Sequence, residues 1–362
     1  MSPISMREAG EALAGSGALV PLSALLASYP QGHSRQNVLQ FDLMFLPCGL
    51  ASLARFFVLG QAVSLSEIRN EIGASTLDAL AGCGVVSVSG ESAQLTGLRL
   101  VEHYGCLLLC DMRSAAAQRY YGQDSWALGR YVLSARRGRV LDLCCGVGAQ
   151  AILGARIAGG ADGIDSNPRV ADLFDFNAAL NGMDACTSLY IGDIHLAADL
   201  NQRYTTVVCN PPLVPIPSDL PFPAVGDGGQ DGLKVTARAM TMLPSLLVPD
   251  GVGLFVGMCL GDDTGPSLAE IGVIAQSAKL DMTIVVTGSM ATNDHAFLRS
   301  ITRTVAGATG SPDEQWFPVV RRAYSSLSQT RVFLCTFVIR PGAAAGVKVS
   351  ANWRRGMQGW TL

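Results

Sequence analysis

The chain has 362 residues, enough for one large domain and a smaller companion. It is 49% hydrophobic and only 15% charged, with a net charge of −3; a protein that lives on phosphate contacts carries a basic surplus, so a nucleic-acid partner is disfavoured. The longest apolar runs, such as 252–260, are too short to span a bilayer, and Glu8 and Glu11 break any basic-then-apolar leader pattern.

The expected location is therefore cytoplasmic, with no membrane partner. Ten cysteines sit mostly inside apolar runs, as Cys209, Cys259 and Cys335 do, and no Cys-x-x-Cys pair occurs. They read as reduced, buried thiols and not as a disulfide framework or a zinc site. The sparse surface charge is compatible with a homo-oligomer.

Residues 1–60 read as helical, with apolar positions at helical spacing through 18–26 and 41–59, interrupted at Pro30 and Pro47. Residues 61–112 change character. Ser64 caps a short helix, with Glu67 three residues on. A second helix follows over 76–82, then strands over 85–88 and 94–101 about a turn at 89–92. Helix, helix, hairpin resembles a winged helix. The helix at 76–82 has no Lys or Arg, so the module is expected to pack or cover and not to read DNA.

From residue 113 strands and helices alternate. Strands are expected at 139–143, 161–164, 187–191, 205–209, 252–258, 282–287 and 332–339, with helices at 150–158, 169–181, 196–201, 233–247 and 267–279. That pattern predicts an α/β fold with a parallel sheet and helices on both faces. The expected organisation is an N-terminal helical and winged-helix-like domain over 1–112 and a catalytic domain over 113–362. The segment 288–330 is long for a loop; Asp294, His295 and Trp316 are its candidate lid residues, with no motif behind them.

Two motifs carry chemistry. In the first, an apolar strand runs into Asp142-Leu-Cys-Cys-Gly-Val-Gly148 and then into a helix. Gly146 and Gly148 sit where the backbone must turn tightly and approach a ligand, and Cys144 is a small residue of the same loop. Asp165, followed by Ser166, ends the next strand about 20 residues on, where an acid grips a ribose. A nicotinamide or flavin site competes for this pattern; it wants a third glycine where this chain has Ala151, and it seldom has an acid at the position of Asp142. Asp193, before Ile194, ends the third strand, where it is placed to cap the next helix.

The second motif is Asn210-Pro-Pro-Leu213 after a buried strand. Two prolines remove two backbone donors and set an extended path. The Asn210 side chain and the carbonyl of Pro211 then form a rigid pair of acceptors able to orient a planar nitrogen. Upstream, Arg119-Tyr-Tyr-Gly-Gln-Asp-Ser125 precedes a helix near Trp126. Tyr120 or Tyr121 is placed to face a cation through its ring, and Asp124 or Ser125 to meet an amino group or cap the helix. His195 reads as a solvated residue at a helix start.

Asp142, Gly146, Gly148, Asp165, Asp193, the Asn-Pro-Pro run and Gly228-Gly-Gln-Asp-Gly-Leu233 together resemble the class I S-adenosylmethionine (SAM) methyltransferases of the Asn-Pro-Pro type, in particular the release-factor glutamine N5-methyltransferases, over about residues 115–260. The resemblance implies a Rossmann-like seven-stranded sheet, SAM as cofactor, and chemistry at nitrogen, with Asn210, Pro211 and Tyr121 at the reaction and Asp124, Ser125, Tyr120, Asp142, Cys144, Gly146, Gly148, Asp165, Ser166, Asp193, Ile194 and Asn210 around the cofactor. One departure stands out. The family follows Asn-Pro-Pro with Tyr or Phe, and this chain has Leu213. With the low charge, that favours N-methylation of a small metabolite or amino-acid-derived compound. The alternatives are cyclisation of SAM itself to azetidine-2-carboxylate with release of methylthioadenosine, and methylation of a protein glutamine or of RNA.

Overall fold

A computed structural model describes residues 4–29, 39–114, 117–217, 220–342 and 346–351. The expected break at Pro30 lies outside them. The chain opens with α1 (Met6–Gly15), held by a capping box between Ser5 and Glu8, and α2 (Leu19–Ser28). A third helix, α3 (Cys48–Leu53), starts after Pro47 and relaxes into a wider turn over Ala54–Val58. No single helix among the described residues is long and apolar enough to cross a membrane; α1 and α2 meet that length only as a pair bent by 83°.

The winged-helix-like module is present. Strand β1 (Val63–Ser64) leads to α4 (Leu65–Ile72), α5 (Ala74–Gly82), β2 (Val86–Ser89) and β3 (Ser92–Leu95), and the three strands form an antiparallel sheet in the order β1-β3-β2. Helix α5 buries Thr76, Leu77, Ala79 and Leu80 and packs on α1, where the Thr76 hydroxyl donates to the Ala12 carbonyl. Its exposed positions include Ser75 and Asp78, so it offers no cation to a phosphate.

The strand expected over 94–101 is two strands. Gly97, at φ +66°, turns the chain, and β4 (Leu98–His103) leaves to pair with β5 (Cys106–Asp111). Tyr104 and Gly105, both at positive φ, make the tight hairpin turn between them. The hairpin docks on the helix that follows β7. There Asn177 and Asn181, one turn apart, each accept a backbone N–H from β5 and donate to a carbonyl of the same residue, at Leu109 and Leu107 respectively. Two side-chain amides thus serve as a substitute strand for an otherwise unpaired edge.

The remainder is the expected α/β unit. Helix α6 (Gln123–Val132) is followed by β6 (Val140–Leu143), α7 (Ala149–Ala158), β7 (Ala161–Asp165), α8 (Ala171–Leu180), β8 (Thr187–Ile191), β9 (Tyr204–Cys209), α9 (Lys234–Leu246) and β10 (Leu247–Asp262). After the short β11 (Gly265–Pro266) come α10 (Ala269–Ser277), β12 (Leu280–Ala291), α11 (His295–Thr309), α12 (Asp313–Ser325), β13 (Arg331–Pro341) and β14 (Gly346–Ala351). The sheet order is β14-β12-β13-β10-β9-β6-β7-β8. Neighbours along β10-β9-β6-β7-β8 pair in parallel, and β13 inserts antiparallel between β10 and β12.

To the seven strands expected, the structure adds β14 at one edge and β11 beside β10. Chain order reverses between β6 and β9, and in open α/β sheets ligands bind beyond the carboxyl ends of the strands at such a reversal. The segment 288–330 carries α11 and α12. The buried Tyr324 hydroxyl of α12 donates to the Pro215 carbonyl at 2.6 Å, which ties this helix pair to the chain just after Asn-Pro-Pro.

Candidate functional site

At the carboxyl ends of β6, β7 and β9 lies a cavity of about 490 Å³, within the range of small-molecule sites. The loop after β6 forms its floor. Cys144 and Gly146 take positive φ (62° and 53°), which brings the backbone round under the cavity. Asp165 at the end of β7 holds that turn: one carboxylate oxygen accepts from Gly146 N and the other from Asn167 N, both at 2.8 Å. Asp142 is 1% exposed and lines the same floor. Its Oδ2 accepts from Ala151 N at 3.0 Å, and its Oδ1 has no partner among the described residues. Burial pushes the Asp142 carboxyl well above the ordinary range, and burial raises Asp165 too.

Asn210 follows β9 directly. Its Nδ2 donates to Asp124 Oδ2 at 2.7 Å and to Ser125 Oγ at 3.1 Å, while its Oδ1 is buried without a partner. Burial raises Asp124, although Asn210 and Tyr120 both donate to it. Ser125 also receives the Gly122 N–H, so it caps α6 and contacts Asn210 at once. A side chain at Gly122 would meet the Tyr120 hydroxyl and the Asp124 carboxylate and displace that hydrogen-bonded pair.

Thirteen of the sequence candidates line this cavity: Tyr120, Tyr121, Asp124, Ser125, Asp142, Cys144, Gly146, Asp165, Ser166, Asp193, Ile194, Asn210 and Pro211. Gly148 does not. It starts α7 at φ +91°, and an added Cβ would lie 2.9 Å from the Phe174 ring. Two of these side chains also bond within the protein. The Tyr121 hydroxyl bonds His103 Nδ1 at 2.9 Å. The Asp193 carboxylate caps the turn at His195 N and pairs with Arg238 at 2.8 and 3.0 Å, so its oxygens are already bonded on the protein side.

The lid candidates lie elsewhere. Asp294 caps α11 through Phe297 N, His295 stands edge-on to Phe317, and the cavity wall from this segment is made by Ser300, Ile301 and Thr304. Sequence reasoning also missed Arg99, Gln150 and Phe222, which line the cavity from β4, α7 and the stretch after Asn-Pro-Pro. Only Phe222 left a signal, as an aromatic ring between Pro221 and Pro223. The Asn-Pro-Pro-Leu run and the glycine run 228–233 meet in space: a Cβ on Gly228 would lie 2.6 Å from the Leu213 carbonyl carbon, and one on Gly232 2.8 Å from the Leu213 oxygen. The glycine run therefore packs directly beneath Asn-Pro-Pro-Leu.

Residues 125–216 match the family model described as the methyltransferase small domain. The chain is 34% identical over 123 residues to a ribosomal protein uL3 glutamine methyltransferase of Bradyrhizobium diazoefficiens, covering 31% of this chain and 38% of that protein. A protein of the same description from Burkholderia pseudomallei is 31% identical over 131 residues, 32% of this chain and 43% of that one. The chain thus aligns with less than half the length of these relatives. Among solved structures, Trm5b from Pyrococcus abyssi superposes with a TM-score of 0.40 at 16% identity, over 76% of this chain and 70% of that one.

SAM is the cofactor of this class, and the cavity's donor set fits it. SAM brings an ammonium, ribose hydroxyls and a sulfonium, all of which want acceptors or negative charge. Asp142 Oδ1 is a buried acceptor with no donor among the described residues, and Asp124 and Asp165 add two carboxylates. By its sequence match, its strand order and its two motif loops, the region 125–216 is a class I methyltransferase core of the Asn-Pro-Pro type, resembling the glutamine methyltransferases.

Proposed function

We propose that the chain is a SAM-dependent N-methyltransferase whose acceptor is the side-chain amide of a glutamine presented by a protein. One observation carries the reading: the amide of Asn210 is turned so that its oxygen, not its nitrogen, is the buried unpartnered atom in the cavity. An acceptor oxygen at that place takes a hydrogen from an incoming N–H₂ group and holds its nitrogen in one orientation.

When bound, SAM supplies an activated methyl group. The protein's contribution is then alignment and removal of water. Asp124 and Ser125 hold Asn210, the prolines hold the backbone carbonyls beside it, and Leu213, Val214 and Phe222 give the cavity an apolar wall. The family's aromatic residue after Asn-Pro-Pro is Leu213 here, and Phe222 offers an aromatic ring nine residues later. The small-metabolite acceptor expected from Leu213 and the low charge is not what the relatives are named for; they are named for a ribosomal protein glutamine, and that supports the protein amide.

The test is a mass-spectrometric product analysis with SAM and recombinant uL3, run beside SAM alone and SAM with free glutamine. One methyl group added to a glutamine of uL3 supports the proposal. Methylation of free glutamine but not of uL3 overturns the protein acceptor. Methylthioadenosine released from SAM alone would make the cofactor's own amine the nucleophile and overturn the methyl-transfer reading.

A further inference from the structure

Arg99 lies on β4, outside the matched methyltransferase region and outside every motif of the sequence. It is 4% exposed. Backbone carbonyls hold its guanidinium at two points: Nε donates to the Asp111 oxygen at 3.4 Å and Nη2 to the Tyr121 oxygen at 3.2 Å. Its remaining N–H groups have no acceptor among the described residues, and no carboxylate pairs with it there. Asp111 is committed elsewhere. Its Oδ1 takes Arg119 at 2.7 Å, and its Oδ2 accepts the backbone N–H groups of Gln118 and Arg119, both at 2.9 Å.

A guanidinium keeps its charge at any pH the protein meets. Burying it beside carbonyl dipoles alone, without an anion, carries a large desolvation penalty. Arg99 lines the cavity and grips the loop at Tyr121, three residues from Asp124, which holds Asn210. Among the other polar groups buried at the cavity are the carboxylates of Asp124 and Asp142, the Ser125 hydroxyl, the Gln150 amide and the Asn210 oxygen, none of them a cation. Arg99 is a buried cation set among them, with donors to spare.

We propose that Arg99 is the carboxylate anchor of the cavity, and that the carboxylate is the one on the amino-acid end of the cofactor. An amino-acid end presents an ammonium and a carboxylate together. Arg99 complements the second, and the acidic floor complements the first. The planar fork suits a carboxylate with two parallel bonds. The inference rests on the SAM reading of the site.

Calorimetric titration of the full chain tests it, with two ligands: S-adenosylhomocysteine, and methylthioadenosine, which keeps the adenosine and the sulfur but has no amino-acid end. Arg99→Gln is expected to weaken S-adenosylhomocysteine by roughly 10- to 100-fold and to leave methylthioadenosine within about twofold. Arg99→Lys keeps the charge but not the fork, and recovers part of the loss; where the Gln variant does not fold, the Lys variant must show the same ligand-selective weakening. Equal losses for both ligands, or an unchanged affinity for S-adenosylhomocysteine, overturns the anchor. A wild-type protein that takes up neither ligand overturns the SAM reading and the anchor with it, and is distinguished by failing before any variant is made.

Discussion

Asn210 and Asp124 are 86 residues apart in the chain and 2.7 Å apart through Asn210 Nδ2 and Asp124 Oδ2. An ionised carboxylate only accepts, so this bond decides which end of the Asn210 amide faces it and which end faces the cavity. Tyr120 donates to the other Asp124 oxygen at 2.9 Å. The orientation of the Asn210 amide is thus set from the first turn of α6 and the loop before it, and not by the Asn-Pro-Pro segment itself. Asp124→Ala is expected to lower turnover by about 10²-fold, the scale on which a misplaced reacting group loses rate. Burial raises the Asp124 carboxyl, so the ionised form that holds the amide is lost at a higher pH than for an ordinary carboxylate. The acid limb of the turnover profile should therefore lie above the usual carboxylate range. An acid limb that is unchanged in Asp124→Asn would assign it to another group.

Asn210→Ala removes the acceptor oxygen and leaves the cofactor floor of Asp142 and Asp165 in place. Turnover should fall by roughly 10²- to 10³-fold, while affinity for S-adenosylhomocysteine stays within a few-fold. Rapid-quench kinetics beside equilibrium titration separates the two. A loss of affinity that matches the loss of turnover would place Asn210 in cofactor binding alone.

The two motifs were legible because each couples a backbone need to a chemical one. Gly146 takes φ +53° and presents its N–H to Asp165; Pro211 and Pro212 fix a path after a buried strand. Such constraints leave their mark in consecutive residues. The β4–β5 hairpin left none. Its strands are buried on both faces with no polar alternation, its outer edge is paired by Asn177 and Asn181 of a distant helix, and its turn is the ordinary dipeptide Tyr104-Gly105. Arg99 enters the site through that hairpin, so local pattern could not find it. The reading of Asp193 fell between two roles for the same reason: capping at His195 is visible in sequence, but pairing with Arg238 of α9 is a tertiary contact.

His103 is fully buried, with Nδ1 on the Tyr121 hydroxyl, and burial lowers its pKa from 6.5 to about 4. In the unfolded chain it titrates near the ordinary value. Between the two the unfolded state binds the extra proton, so stability falls as pH drops from about 6.5 towards 4 and is unaffected above that window. The effect is on the order of 3 kcal/mol at the bottom of the window. His103→Gln is neutral throughout and lacks this term. Urea unfolding of both proteins at pH 7 and pH 4.5 should show the variant losing less stability on acidification. Parallel losses would mean that His103 titrates normally in the folded protein.

Asp165 holds two backbone N–H groups of the floor and lines the cavity. Asp165→Ala frees both and removes the acid placed for a ribose. Affinity for S-adenosylhomocysteine should fall about 10- to 100-fold, as expected for lost bonds to a charged group. An affinity equal to wild type would take Asp165 out of the cofactor site and leave it as a brace for the turn.

Gly148 gives the opposite expectation from the same loop. It sits at φ +91°, where a side chain is strained, and an added Cβ would press on the Phe174 ring at 2.9 Å and on Ile152 at 3.1 Å. Phe174 belongs to α8 and is 1% exposed, so it has little room to move. Backbone strain and overpacking each cost about 1–3 kcal/mol. Gly148→Ala should therefore lower the urea midpoint by an amount in that range, yet bind S-adenosylhomocysteine normally once corrected for the folded fraction, because Gly148 does not line the cavity. Loss of affinity without loss of stability would show that this glycine meets the ligand after all, and would return it to the cofactor residues on which the sequence had placed it.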